Sequence, residues 1–163
     1  CYNSFYRKDM NVPKVIKSQA ICKGRYIRTF DNGDIDIVDE KQKVVIPPLY
    51  SDIKPISGHF IVSRKGVKGI CSINGEQILS CAYEDIYVFD WNNVGRYFTV
   101  KKSGKYGLFD GKSRNLILEC VAEKISPRTV KYKGKYEAVA IIPRKILGFI
   151  PWFPAYHIMQ LQK

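Results

Sequence analysis

The residues of this chain that could act as acids, bases or nucleophiles are few and widely spaced. The two histidines are His59 and His157, and no nearby residue is placed to orient either one as a general base. We therefore predict that His59 is a variable surface position and not a catalytic base. No catalytic residue, cofactor or enzymatic activity is predicted.

Two further stretches superficially resemble ligand sites. Residues 107–113 end like a phosphate-binding loop, but three residues separate the glycines where that loop requires four. Asp34, Asp36, Asp39 and Glu40 form an acidic cluster. Alternation along a strand would point Asp34 and Asp36 to one face, which we interpret as solvated. We expect neither a nucleotide site nor a calcium site.

Cysteine usage and hydropathy limit the class of protein. The five cysteines are odd in number and contain no CxxC pair, which argues against a disulfide framework and against a zinc site. Cys71, Cys81 and Cys120 lie in apolar runs, where cysteine behaves as a small hydrophobe. The sequence contains no apolar run of about 18 residues, so we predict no membrane-spanning helix. We expect a cytoplasmic protein; the alternative is a lipoprotein anchored through Cys1 at the cell envelope.

The strongest binding candidates are basic residues beside glycine-containing turns. The net charge is +12, and residues 101–163 carry thirteen Lys/Arg against four Asp/Glu. If the turns lie side by side, their basic residues form a positive stripe that contacts a polyanion or another partner. The predicted contact residues are Arg64, Lys65, Lys68, Lys101, Lys102, Lys105, Lys131, Lys133 and Lys135.

Two readings of this stripe stay open. Tyrosines among the lysines could stack on bases or pack on a partner, and lysine suits phosphate neutralisation better than base recognition. Alternatively, lysine-rich turns only keep exposed sheet edges from pairing with other chains. The tyrosines are Tyr97, Tyr106, Tyr132 and Tyr136.

The glycine turns belong to a repeated layout, in which a β-rich run reaches a glycine turn and a second β-rich run follows. Copies that recur every 30 to 40 residues or so are typical of a repeat array. In our alignment Gly58-His-Phe60 corresponds to Gly95-Arg-Tyr97. The resulting units are 24–57, 58–94 and 95–127, with partial units at 1–23 and 128–139.

Each unit is predicted to form three antiparallel strands. In the unit 58–94, alternating residues 58–65 precede the turn, 70–73 follow it, and Asn74-Gly75 marks a tight hairpin before 78–82. Scattered prolines argue against long helices. We predict an all-β repeat domain over residues 1–139, with three-stranded units and little helix. Solenoid-like and propeller-like arrangements both fit.

Residues 140–163 depart from the repeat, being apolar, aromatic and interrupted by prolines. A repeat array needs an atypical end, so we predict that this segment caps the last unit. The alternative is that it docks onto a partner, with Trp152 and Phe153 as the docking residues.

These patterns resemble the WG repeat, a bacterial β-repeat family, over about residues 12–139. The resemblance lies in Lys105-Tyr-Gly-Leu-Phe-Asp110, in Asn74-Gly75, in Val45-Ile-Pro-Pro-Leu-Tyr-Ser-Asp-Ile53 and in Ala82-Tyr-Glu-Asp-Ile86. The family's Trp-Gly pair is absent, with Tyr106 and Lys68 in the tryptophan position. The resemblance implies a non-enzymatic interaction or scaffold module, most simply one that binds a protein. The alternative function is a DNA- or RNA-binding accessory module that uses the basic C-terminal half.

Overall fold

A computed structural model describes residues 12–89, 96–132, 135–143 and 156–160, with side chains over 12–89 and 96–125. These residues form fifteen β-strands, and none of them is helical. The all-β prediction is confirmed. The chain divides between Asp52 and Ile53 into two compact units.

The first unit holds one sheet, sheet A, with the strand order β1-β2-β3-β4 and antiparallel neighbours. The strands are β1 (Val15–Cys22), β2 (Arg25–Phe30), β3 (Ile35–Val38) and β4 (Val44–Tyr50).

The second unit holds three sheets, each in sequential strand order. Sheet B consists of β5 (Asp52–Ile56), β6 (His59–Arg64), β7 (Val67–Ser72) and β8 (Gln77–Tyr83). Sheet C consists of β9 (Asp85–Val88), β10 (Tyr97–Lys102), β11 (Lys105–Asp110) and β12 (Asn115–Ala122). Sheet D consists of β13 (Ser126–Tyr132), β14 (Lys135–Pro143) and β15 (Tyr156–Gln160).

Sheets A, B and C have four strands each, where three were predicted. In sheet A the additional strand is β1, with eight residues; in sheets B and C it is the short segment, β5 or β9, that leads out of the preceding predicted unit. In sheet C this segment is β9, and its Ile86 lies opposite Val100 of β10. A four-residue run such as β9 is too short for its periodicity to identify a strand. The segment at the end of one sequence unit is therefore the first strand of the next sheet.

Two tight hairpins set the register of sheets B and C. Lys65-Gly66 and Ser103-Gly104 join the strands, and all four residues have positive φ angles, the backbone of a type I′ turn. This register places Phe60 opposite Cys71 and Phe98 opposite Phe109. Phe60 therefore corresponds to Phe98, and the predicted alignment of Phe60 with Tyr97 was wrong by one residue.

Sheets B and C share one apolar core. Alternate residues of β10 point into it, and both Phe98 and Val100 are fully buried. Burial of one such side chain stabilises the fold by about 1.5–3 kcal/mol. The core residues are Ile61, Ile70, Leu79 and Tyr83 from sheet B and Ile86, Phe98, Val100 and Phe109 from sheet C.

The glycine that follows Lys68 or Tyr106 is required by a close backbone approach. A Cβ atom on Gly69 would lie 2.5 Å from the carbonyl oxygen of Leu79, and one on Gly107 would lie 2.5 Å from that of Leu118. The strand register shifts beside both glycines, so a β-bulge brings the last strand of each sheet against them.

The predicted boundary at residues 139/140 falls within β14, which continues to Pro143, and β15 pairs with that part of β14. Residues 140–143 and 156–160 are thus strands of sheet D. The docking residues Trp152 and Phe153 lie outside the described residues, and capping stays a prediction.

Candidate interaction surface

The buried carboxylates, Asp36 and Asp110, are each held by one arginine. In sheet A, Nε of Arg28 donates to Oδ1 of Asp36 at 2.9 Å and its Nη2 donates to Oδ2. Asp36 is 1% exposed, so the prediction that it faces solvent beside Asp34 was wrong. Arg28 lies directly opposite Asp36 on β2, and a charge-assisted bidentate pair of this kind is what allows a carboxylate to be buried.

Asp110 is held in the same way by Arg96, whose Nε and Nη2 donate to its two carboxylate oxygens at 2.8 and 2.7 Å. The backbone N–H of Lys112 donates to Oδ1 at 2.9 Å. Burial alone would raise the pKa of Asp110, but the hydrogen bonds from Arg96, Lys112 and Ser113 outweigh it and lower the pKa to about 2. Asp110 therefore anchors the loop that follows β11.

The other candidate reactive groups also serve the fold. The thiols of Cys81 and Cys120 point at the carbonyl oxygens of Val62 and Val100, and burial raises the pKa of both. The imidazole of His59 packs edge-on against Phe98, with 5.2 Å between ring centroids. The side chain of His157 lies outside the described ones.

Neither a metal cluster nor a membrane helix occurs in the described part of the chain. Over these residues, His, Cys, Asp and Glu side chains nowhere gather in a group of three or more that could hold a metal ion. None of them belongs to a helix with the length and apolar character that a membrane span needs.

The structure places the predicted basic residues at two hairpin tips. Arg64, Lys65 and Lys68 surround the β6–β7 turn, and Lys101, Lys102 and Lys105 surround the β10–β11 turn. Lys131 and Lys135 lie at the facing ends of β13 and β14, with side chains outside the described ones. Lys133 lies outside the described residues altogether.

Acidic residues pair with two of these lysines. Nζ of Lys68 lies 2.7 Å from Oδ1 of Asp85, and Nζ of Lys105 lies 3.3 Å from Oε1 of Glu123. A third acid, Glu84, accepts a hydrogen bond from the backbone N–H of Gly104 in the β10–β11 turn. The described tips therefore carry both signs of charge.

Two further lysines lie over aromatic rings. Nζ of Lys101 is 5.6 Å from the ring centroid of Tyr106, and Nζ of Lys102 is 5.9 Å from that of Tyr83. Both distances are in the range of a cation–π contact. Among the described side chains, Arg64 and Lys65 are the tip residues with neither kind of partner.

Beside the second tip, the face of sheet C that carries Thr99 holds a cleft of about 400 Å³, which we call the tyrosine cleft. Further along this face, Tyr97 and Leu108 are buried in a small apolar cluster with Phe89. Asp85, Tyr87, Thr99 and Lys101 point to this face because Thr99 pairs with Tyr87 and Lys101 pairs with Asp85 across β9 and β10. The residues that line the cleft are Tyr87, Thr99, Tyr106, Glu123, Lys124 and Ile125.

A hydrogen-bond chain holds one wall of the tyrosine cleft in place. The hydroxyl of Tyr87 donates to Oδ2 of Asp85 at 2.6 Å, while Oδ1 of Asp85 accepts from Lys68. The hydrogen bond to Asp85 is the main reason why the pKa of Tyr87 rises to about 12. Burial alone would raise the pKa of Asp85, but the bonds from Lys68 and Tyr87 lower it. Tyr87 is thus held in place while 46% of the residue stays exposed.

The sequence pointed to only one residue of the tyrosine cleft, Tyr106. Of the other predicted tyrosines, Tyr97 is 3% exposed and has no face open to a ligand, and Tyr132 and Tyr136 have side chains outside the described ones. The signal for Tyr87 was its spacing of two from Asp85, which places both on one face of a strand. That signal requires β9 to be recognised as a strand.

Part of the repeat array matches a known family. A family model for the WG containing repeat matches residues 37–66 and 69–106. Comparisons with curated proteins and with solved structures found no match. The matched stretches run from β3 into the β6–β7 turn and from Gly69 to Tyr106, and so include Gly69, the bulge glycine of sheet B. Residues 37–106 of this chain therefore belong to the WG-repeat family.

Proposed function

We infer that the chain is a non-catalytic interaction module whose partner is another protein. The observation that carries this proposal is the pairing of charges at the hairpin tips, where Lys68 pairs with Asp85 and Lys105 with Glu123. A lysine that is already paired with a carboxylate attracts a phosphate backbone less strongly. Protein partners offer both signs of charge and tolerate such a pattern.

The non-catalytic role is supported by what the buried carboxylates do. Asp36 and Asp110 are each occupied by a bidentate arginine. A catalytic acid or base needs a pKa near the working pH and access to a substrate, whereas the pKa of Asp110 is about 2. These groups stabilise sheets A and C.

A co-purification experiment tests the proposal. The tagged chain is expressed in its native cell, cross-linked, treated with nuclease and isolated, and the bound proteins are identified. We expect a defined protein partner that stays bound after nuclease treatment and that binds the purified chain directly. Loss of every partner on nuclease treatment, or no direct binding, would contradict the proposal.

The alternative is a module that binds DNA or RNA through its basic half. It is favoured by Arg64 and Lys65, which lack a carboxylate partner among the described side chains, and by the excess charge of residues 101–163. In that case a fluorescent oligonucleotide should bind the chain and lose affinity steeply between about 50 and 200 mM salt. The charge reversals Lys101→Glu and Lys102→Glu should weaken the binding of the oligonucleotide further. Absence of binding at low salt excludes this alternative.

We propose a cytoplasmic location, with anchoring through a lipid-modified Cys1 as the alternative. Cys1 lies outside the described residues. Fractionation of native cells, with and without a Cys1→Ser change, distinguishes the two, because only the anchored protein moves from the membrane to the soluble fraction.

A further inference from the structure

The tyrosine cleft differs from the equivalent positions of sheet B in a way that suggests a ligand. The two hairpin turns align Thr99 with Ile61 and Tyr106 with Lys68. Ile61 belongs to the core between sheets B and C, whereas Thr99 and Tyr106 line an open cleft. The position equivalent to Ile61 is therefore polar in sheet C, and it lies in a cleft beside the ring of Tyr106.

Among the described side chains at the tyrosine cleft, two lysines are not paired with a carboxylate. Glu123 pairs with Lys105 and Asp85 pairs with Lys68, so each carboxylate at the cleft already has a cation. Lys101 and Lys124 have no carboxylate partner among the described side chains. They lie at an aromatic cleft, Lys101 over the ring of Tyr106 and Lys124 in the lining.

We propose that the tyrosine cleft binds a peptide segment that carries an aromatic or large apolar side chain flanked by Asp or Glu. The apolar side chain would lie between Tyr87 and Tyr106 over Thr99 and Ile125, and the acids would pair with Lys101 and Lys124. This inference rests on the proposed protein-binding function and names the surface and the chemistry of the partner.

The structure favours a peptide over a nucleic acid at this cleft. Asp85 and Glu123 hold Lys68 and Lys105 in ion pairs, so among the described side chains Lys101 and Lys124 are left for a ligand. Two lysines suit one or two acidic side chains better than a continuous phosphate backbone. A cleft of about 400 Å³ suits one anchoring side chain with its neighbours. Tyrosine is a frequent anchor at protein interfaces because it offers a large, rigid surface with a polar end.

Selection from a random-peptide display library tests the proposal. The purified chain is the target, and the Tyr106→Ala variant, which removes the ring, is the counter-target. We expect recovered peptides to share an aromatic or large apolar residue flanked by Asp or Glu. A synthetic copy of the best peptide should bind Tyr106→Ala and Tyr87→Ala at least ~10-fold more weakly than the unchanged chain.

Matched variants separate the cleft from general effects of charge and folding. Lys124→Glu should weaken the acidic peptide about 5-fold at low salt. Lys112→Glu makes the same change at the other end of sheet C and should leave binding unaltered. Tyr106→Phe keeps the ring and should retain most of the affinity. Near-ultraviolet circular dichroism confirms that each variant is folded.

Three results would overturn the proposal: recovered peptides without the acidic and apolar signature, equal binding by Tyr106→Ala, or displacement of the peptide by an oligothymidylate of equal charge. If the co-purified partner still binds Tyr106→Ala and Lys124→Glu, the cleft is excluded while the proposed function stands. If no partner protein exists, the proposed function fails as well.

Discussion

Sheets B and C have the same strand order and the same hairpin turn but differ where side chains leave the core. Lys68 of sheet B forms an ion pair with Asp85 of sheet C. In sheet C the equivalent positions are Tyr106 and Lys124, and a cleft lies between them. By contrast, these buried positions carry the same residue types in both sheets. Phe60 and Val62 correspond to Phe98 and Val100, and all four are fully buried.

This difference shows at which positions the fold restricts the choice of residue. Phe98, Val100 and Gly107 occupy places where volume or backbone approach leaves little choice. Tyr106 and Lys124 lie at the edge of the sheet, where a substitution leaves the buried core unchanged. Variation that confers a function is therefore expected at the second kind of position.

The largest effect is expected at Asp110, which has a serine, Ser72, in the equivalent position of sheet B. Asp110→Ala removes the buried carboxylate to which Arg96 donates two hydrogen bonds and should destabilise the protein by about 3 kcal/mol. Urea unfolding at neutral pH measures this. Ser72→Ala removes no charged group and should therefore lower the free energy of unfolding much less. Equal losses at both positions would show that the loop, and not the ion pair, stabilises sheet C.

Asp110 also makes stability depend on pH. Its folded-state pKa of about 2 lies below the usual value near 3.9, so its contribution is complete above pH ~4 and disappears as the pH falls to ~2. The contribution amounts to roughly 2–3 kcal/mol. Unfolding experiments across this range should show a shallower acid loss for Asp110→Asn than for the unchanged chain.

The bulge glycines should respond alike in both sheets. Gly69→Ala and Gly107→Ala each force a Cβ atom against a backbone carbonyl and should destabilise by about 2 kcal/mol. Gly66→Ala, in the open hairpin turn, meets no atom within 4 Å and should cost about 1 kcal/mol through its positive φ. Thermal unfolding measures all three. A neutral Gly107→Ala would mean that β12 can move away from β11, and that the two sheets are not equivalent.

Much of the fold was predictable because its signals are local. Alternating apolar residues around a turn such as Asn74-Gly75 identify strands and hairpins, and their recurrence identifies the repeat. The fourth strand was missed because β9 is short and its partner, β10, follows a connection of variable length. The one-residue error at Tyr97 has the same origin, since an alignment anchored on Gly58 and Gly95 ignores that connection.

The candidate site was less predictable because it depends on partners distant in sequence. The sequence identified Lys68 and Lys105 as basic turn residues, but their pairing with Asp85 and Glu123 follows from how strands meet. Arg28 and Asp36 likewise appear unrelated until β2 and β3 pair. The tyrosine cleft combines β9, β10 and the residues after β12, which no single motif contains.

A smaller effect tests the wall of the tyrosine cleft. Asp85→Asn removes the carboxylate that binds the Tyr87 hydroxyl, so the pKa of Tyr87 should fall from about 12 toward the usual value near 10. Ultraviolet difference titration, assigned with Tyr87→Phe, follows this change. Lys68→Met keeps the Tyr87–Asp85 bond and should leave the Tyr87 pKa high. An unchanged titration in Asp85→Asn would show that Asp85 does not hold the ring.

The smallest effect is expected at the ion pair between Glu76, in the turn before β8, and Arg114, in the loop before β12. The pair is bidentate, with distances of 2.6 and 2.7 Å, but both side chains are about half exposed. Water and salt screen such a pair, and holding two long side chains costs entropy. Glu76→Gln should therefore change the unfolding midpoint only slightly at low salt and not at all at high salt. A large, salt-independent loss would mean that this contact locks sheets B and C together as strongly as their apolar core does.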